Sequence, residues 1–374
     1  MASTVIIGAG VLGASAAFHL ARRGLRDVVV IDRADGLGRG ATGRALGVFL
    51  SQHSHPADIQ LSLLARDRLL AFRADTGADP GYRTVGCLRP AETPAELDAL
   101  RADLRAQQAA GLIEAMELGD ERIGWLHPAL DRSNVCGAVF CPTDGTVHPS
   151  PILRGYAEAA MRLGVRFMWN VDAHELERAP DGLVRAVRTN QGAMDADRVV
   201  NAAGPWAGAL GHSCGLAMPV APLCRHVAVT LPTGAISASA PVTVFASDGL
   251  QIVAKDGRVA LSSRGPATGA APRGPAVDES WLAAVIATAR ARMPALADVR
   301  IDRAASWTGL EPTTPDGLAV LGAHPDAPNY FVVCGGSATG VMHAPALGHL
   351  LAELVVDGRA STLDVTPLAP SRFV

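Results

Sequence analysis

A chain of 374 residues is longer than one hydrophobic core usually serves, and with 49% apolar residues it has the material for two domains. A net charge of −3 without clustered basic residues argues against a nucleic-acid surface, and the absence of polar low-complexity runs argues against disorder. No stretch of about 18 apolar residues escapes charge or Gly/Pro punctuation, so no membrane-spanning helix is expected.

Residues Thr4–Ile7 form a short, β-rich apolar run. Gly8-Ala9-Gly10-Val11-Leu12-Gly13 follow, and then a helical pattern carried by Ala14, Ala17, Phe18 and Ala21. Gly24, a second apolar strand over 27–31 and the acidic Asp32 complete the unit. Gly8 permits the tight turn, Gly10 lets a pyrophosphate approach the backbone, and Gly13 lets the helix pack close to the strand. The unpaired N–H groups at the helix start, around Val11 and Leu12, favour the phosphates. Asp32, 19 residues after Gly13, is spaced for ribose hydroxyls, with Arg33 beside it. This is a dinucleotide site. The apolar start lacks a basic flank, so it reads as folded domain rather than signal peptide, and a cytoplasmic location is expected.

The stretch 38–47 is rich in small and hydroxyl residues and follows the second strand directly. Gly40, Ala41, Thr42, Arg44 and Gly47 can run along a long cofactor and give backbone donors to phosphate and flavin. An NAD enzyme has no need of such a segment there, so FAD is the expected cofactor. His53 and His55 come next, and His53 is a candidate proton acceptor or polar guide for substrate.

Further on, Thr143-Asp144-Gly145 form a turn, Pro149 precedes a helix, and Val171 is read in a strand before a hairpin. A strand ending at Asn201 leads into Ala202-Ala203-Gly204-Pro205-Trp206. Residues 242–264 read as strands broken by the hairpin signals Asp248-Gly249 and Asp256-Gly257. Then come Gly309-Leu310-Glu311-Pro312, a strand over 329–333, the loop Gly335-Gly336-Ser337-Ala338-Thr339-Gly340-Val341-Met342 and a helix from about Ala344. Cys87, Cys136, Cys141, Cys214, Cys224 and Cys334 have neither CxxC nor zinc spacing, so free, mostly buried thiols and no metal are expected.

In order and spacing these blocks resemble the D-amino-acid oxidase/glycine oxidase/sarcosine oxidase family of FAD enzymes, nearly end to end. The resemblance implies an α/β and α+β fold: a Rossmann-type FAD-binding domain interleaved with a substrate domain built on a large mixed β-sheet. The FAD domain would take 1–85, 145–215 and 320–374, and the substrate domain 86–144 and 216–319. The implied reaction is oxidation of a C–N bond by hydride transfer to flavin N5. Val171 matches the family's adenine contact. Ala202, Ala203, Gly204 and Gly309 fall near the cofactor, and Trp206 could pack under the flavin edge. Gly336, Ala338, Thr339, Gly340, Val341 and Met342 would lie beside the flavin pyrimidine, where N–H groups stabilise the charge of the reduced ring.

The substrate clamp departs from the family. Glycine oxidase-like enzymes carry an arginine where this chain has Glu311 and another where it has Ala338. Sarcosine oxidase-like enzymes carry a lysine at Met342 and an arginine near Gly47. Glu311 is therefore expected to repel a carboxylate and attract a cationic amine, unless Arg225 or Arg264 clamps the carboxylate from another side. His53, Glu311 and Arg264 are the catalytic candidates. With no cysteine around 311–314 and Cys334 on a strand, FAD is expected to bind non-covalently. Lys255, the only lysine, reads as part of an Asp-Gly turn. The alternatives are C–O oxidation of a hydroxy acid or alcohol, an FAD-holding subunit of a multi-component dehydrogenase, and an NAD-dependent dehydrogenase. The electron acceptor is either O2 or a partner protein or quinone.

Overall fold

The computed structural model describes residues 4–263 and 277–374. Its first sheet has six strands in the order Ala319–His324, Ala327–Gly335, Arg198–Asn201, Thr4–Ile7, Val28–Asp32 and Arg166–Trp169. Neighbours are parallel except the first pair, which is antiparallel. Its inner strands are rich in Val and Ile because both faces are covered. On one face Ile6, Val28, Val30, Val200 and Val333 pack against the helices Val11–Arg22, Pro149–Arg162 and Gly340–Val356. On the other, Val5, Ile7, Val29, Ile31, Val199 and Val332 pack against a small antiparallel sheet, Ala173–Arg178, Val184–Thr189 and Gly192–Asp195.

The second sheet has eight strands: Trp307–Thr313, Ala221–Val229, Arg258–Ser262, Gln251–Lys255, Val242–Val244, Cys87–Ala91, Gly137–Cys141 and Met116–Leu118. It is mixed, since Val242–Val244 runs parallel to Cys87–Ala91 while the other pairs are antiparallel. The Asp256-Gly257 signal is a two-residue hairpin with both φ angles positive, at 52° and 71°. Helix Glu279–Arg292 covers this sheet through Trp281, Leu282 and Val285. The expected architecture, a dinucleotide-type sheet interleaved along the chain with a large mixed sheet, is thus the observed one.

Four local expectations shift. The second strand is Val28–Asp32, because Asp27 sits at φ 55° in the preceding turn, and this makes Asp32 its last residue. Val171 lies in the connection after Arg166–Trp169, not in a strand, and its N–H donates to the Asp32 carbonyl. The last helix starts at Gly340 rather than near Ala344, since His343 N–H already bonds the Thr339 carbonyl. Lys255 ends a strand rather than occupying a turn. Its ammonium donates to the Val147 carbonyl at 2.7 Å, and burial lowers its pKa. Four of the six free cysteines are buried, Cys214 is half-buried and Cys136 is exposed.

Candidate active site

A cleft of about 1160 Å³ opens at the carboxyl ends of the parallel strands, lined there by Ile7, Ile31, Asp32, Ala202 and Gly335, and extends to the eight-stranded sheet. Ligands bind α/β sheets at this edge because the helix N-termini converge there. Gly8 has φ 105°, and a Cβ on it would lie 2.4 Å from the Ala202 carbonyl oxygen. A Cβ on Gly13 would lie 1.9 Å from the Gly8 oxygen. Gly13 therefore does not line the cleft; it sets the approach of helix to turn. The Asp32 carboxylate accepts from Ala9 N–H at 2.7 Å and Ala34 N–H at 2.8 Å, so it ties the glycine turn to the end of its own strand.

Thr42, in the short helix Ala41–Arg44, accepts from Val11 N–H at 3.1 Å and so caps the long helix. Gly10, with Thr42 Oγ1 3.5 Å from where its Cβ would be, leaves a shallow cradle that any side chain would fill. These groups suit a pyrophosphate and a ribose. Thr42→Val is expected to strand the Val11 N–H at a cost of about 1 kcal/mol and to weaken FAD binding about fivefold. Thr42→Ser should bind as the parent does, and equal affinity for the valine variant in a flavin-fluorescence titration would remove Thr42 from the cradle.

Behind the cleft wall, Asp144 is fully buried. Its carboxylate accepts from Ser51 N–H at 2.7 Å and Gln52 Nε2 at 3.1 Å. Burial pushes it up from the ordinary 3.8 to about 6, against the pull of those hydrogen bonds. A raised folded-state pKa contributes stability that is present below 3.8 and lost as the pH rises through about 6. Asp144→Asn should flatten the dependence of melting temperature on pH across that window; an unchanged slope would assign the dependence to other groups.

At the far end, His53 lines the cleft and Glu311 meets Arg225. In the register between Ala221–Val229 and Trp307–Thr313, Arg225 lies opposite Gly309 and Glu311 opposite Leu223. Arg225 and Glu311 are thus diagonal neighbours, and the missing side chain at Gly309 leaves the diagonal open. Arg225 Nε donates to Glu311 Oε1 at 2.8 Å.

A model of the family described as "DAO: FAD dependent oxidoreductase" matches residues 3–354. The chain belongs to this family. The chain is 29% identical over 387 residues to glycine oxidase of Geobacillus kaustophilus (strain HTA426), covering 99% of this chain and 96% of that protein. A crystal structure of glycine oxidase from Geobacillus kaustophilus superposes with a TM-score of 0.87 at 26% identity, covering 100% of this chain and 99% of that one. The chain is also 29% identical over 369 residues to 4-methylaminobutanoate oxidase (formaldehyde-forming) of Paenarthrobacter nicotinovorans, covering 95% of itself. It spans only 44% of that relative's length.

Most of the site residues expected from the sequence come together on one cleft: Gly8, Gly10, Val11, Leu12, Asp32, Arg33, the 40–47 set, Val171, the 202–206 set, Gly309 and 338–342, with His53 and Glu311. Gly336 does not line it. Its carbonyl takes the Thr339 N–H and hydroxyl, so Gly336 shapes the loop from behind. Trp206 sits at the Asp32 end of the cleft. Its ring lies 3.8 Å from the Arg33 guanidinium, beside Asp32, because Gly204–Trp206 turns toward the end of the second strand. Ala338 adopts φ 65°, which strains a non-glycine residue at the cleft.

His55 is exposed and caps helix Pro56–Leu70, while His53 is not a solvent loop residue. Glu311 is not a free charge: Arg225 neutralises it, so the expected repulsion of a carboxylate falls away. Arg264 lies outside the described residues. Cys224, Gln251, Ser262 and Ser263 also line the cleft, on the side of the eight-stranded sheet, and were missed. Gln251 and Ser262 face each other in register, and strand alternation either side of the Asp256-Gly257 hairpin was the signal that could have found them.

Proposed function

We propose that this chain oxidises the C–N bond of a small amine that carries a carboxylate, and that Arg225 receives the carboxylate. The observation behind this reading is the Arg225–Glu311 pair. Glu311 engages only Nε, and the two terminal guanidinium nitrogens make no hydrogen bond among the described residues, on a side chain that lines the cleft. An arginine held by its Nε presents its remaining edge in a fixed direction, which suits a two-point carboxylate contact. The substrates named for the two relatives, glycine and 4-methylaminobutanoate, both join an amine to a carboxylate.

The helix start over Gly10 to Leu12, where Thr42 holds the Val11 N–H, is assigned to the pyrophosphate, Asp32 to the ribose, Val171 to the adenine side and 338–342 to the flavin pyrimidine. Bound non-covalently there, FAD supplies a two-electron acceptor at N5. Such an acceptor would take the hydrogen on the substrate carbon beside nitrogen together with both electrons. The chain's own part is to hold that carbon in place and exclude water, which needs no dedicated base. We also propose that 1–85, 145–215 and 320–374 form the cofactor domain and 86–144 and 216–319 the substrate domain.

Anaerobic titration of the purified holoprotein tests the reading. Glycine, N-methylated amino acids or longer amino acids should bleach the flavin, and matched amines lacking the carboxylate should need about 100-fold more. Bleaching by hydroxy acids alone would replace the reading with C–O oxidation. A flavin that no compound bleaches without an added protein would replace it with an FAD-holding subunit.

A further inference from the structure

A buried chain of polar groups stands behind His53, and its role rests on the reading that the cleft holds an amine. His53 Nε2 lies 3.0 Å from the Leu50 carbonyl oxygen and 3.1 Å from Ser62 Oγ. Ser62 Oγ lies 2.9 Å from the same carbonyl and 2.8 Å from Nε2 of His343. Ser62 and His343 are fully buried and do not line the cleft. They come from different elements, helix Pro56–Leu70 and the first turn of helix Gly340–Val356.

The proton positions follow from the acceptors. A carbonyl oxygen only accepts, so the Nε2 that faces it must carry the proton of His53. A neutral ring has one proton, which leaves Nδ1 bare. Nδ1 is also the only ring nitrogen of His53 still available to the cleft, since Nε2 is committed. His343 Nδ1 is buried without a partner. A buried orphan N–H is rarer than a buried orphan acceptor, so His343 carries its proton on Nε2 and donates to Ser62 Oγ. The Ser62 proton then goes to Leu50. Every proton in the chain points so as to keep His53 in one tautomer.

We infer that His53 offers a proton-free Nδ1 to the N–H of the bound amine, and that Ser62 and His343 are positioning residues that lock that tautomer. Other groups around the ring agree. Gln107, on helix Pro94–Ala109, donates to the His53 carbonyl at 3.1 Å and fixes its backbone. Arg89, on Cys87–Ala91, is the charged neighbour and is held by Asp103 at 3.7 Å. Burial, opposed by the Leu50 carbonyl and aided by Arg89, lowers His53 to about 4, and burial with His53 itself keeps His343 well below the ordinary range. The acceptor is therefore neutral at physiological pH.

The test uses holoenzyme with histidine labelled by 15N in the ring. His53 should show a protonated Nε2 and a bare Nδ1 from about pH 5 to about pH 8 without substrate present. Ser62→Ala leaves the Leu50 carbonyl as the one remaining acceptor for the Nε2 proton, so it should admit a minor share of the other tautomer and raise the amine concentration for half-bleaching about fivefold. Flavin affinity should stay unchanged, and Ser62→Thr should restore both readouts. His53→Asn, whose amide begins where Nδ1 sits, should retain more activity than His53→Gln. A proton on Nδ1 in the parent, or a parental tautomer and titration in Ser62→Ala, would overturn the inference. Neither outcome depends on which amine is the substrate, so the carboxylate reading stands or falls separately.

Discussion

Gly13→Ala is expected to yield a protein that purifies with less than about a tenth of the parent's flavin, because overpacking at this contact falls on the turn proposed to cradle the phosphates. The added Cβ would sit 1.9 Å from the Gly8 oxygen and 3.1 Å from the Gly8 carbonyl carbon, both backbone atoms of the turn itself. Relief needs well over an ångström of separation between turn and helix. The helix cannot supply it: residues 11–21 are all buried, and Ser15 donates to the Ala344 carbonyl at 2.7 Å. Gly348 holds that contact tight, since a Cβ there would meet Ser15 Oγ at 2.2 Å. The turn must give instead, and Gly8 to Leu12, which line the cleft, move with it. Overpacking of this kind costs about 1–3 kcal/mol, so the melting temperature of the apoprotein should fall by several degrees as well. Gly40→Ala is the matched control. Gly40 lines the same cleft at φ −94° with nothing within 4 Å of its Cβ position, and it should keep its flavin. Full flavin content in Gly13→Ala, read as the ratio of visible to ultraviolet absorbance, would mean that the glycine sets no essential spacing.

What the sequence made legible was local backbone chemistry. Gly8, Gly13 and the Asp256-Gly257 pair answer to constraints within a few residues, so their types reveal their geometry. The pairing of Arg225 with Glu311 was not legible in that way. It depends on the register of two strands far apart in the chain, and apolar alternation fixes register only to within a two-residue slip. The contact of Ser62 with His343 was hidden for a similar reason: it joins a helix early in the chain to one 281 residues further on, and no local pattern pairs the two. Trp206 shows the remaining limit. Its neighbourhood was readable from the turn at Gly204, but which end of the cleft its ring faces depends on a cation–π contact with Arg33 that no spacing encodes.

Arg225→Met carries the second large effect, and it should change the sign of selectivity rather than only weaken binding. Losing a two-point contact to a carboxylate should raise the dissociation constant of an amino-acid substrate by about 100-fold, corresponding to about 3 kcal/mol. The same change leaves Glu311, with its side chain only 12% exposed, without its partner. An unpaired carboxylate in a partly closed cleft repels a second carboxylate and attracts a cation, so amines lacking the acid group should bleach the flavin at lower concentration than in the parent. Glu311→Gln keeps the hydrogen-bond acceptor for Arg225 Nε but removes the charge. It should therefore cost far less for amino acids and give no preference for simple amines. Because the two residues act as a pair, the Arg225→Met/Glu311→Leu double variant should fall short of the sum of its parts: weak for carboxylates, indifferent to charge and more stable than Arg225→Met alone. Arg225→Lys should not rescue, since an ammonium cannot bond Glu311 and grip a carboxylate along one planar edge. If Arg225→Met binds amino acids as tightly as the parent does, the carboxylate sits elsewhere in the cleft and the Arg225–Glu311 pair is a strap between two strands.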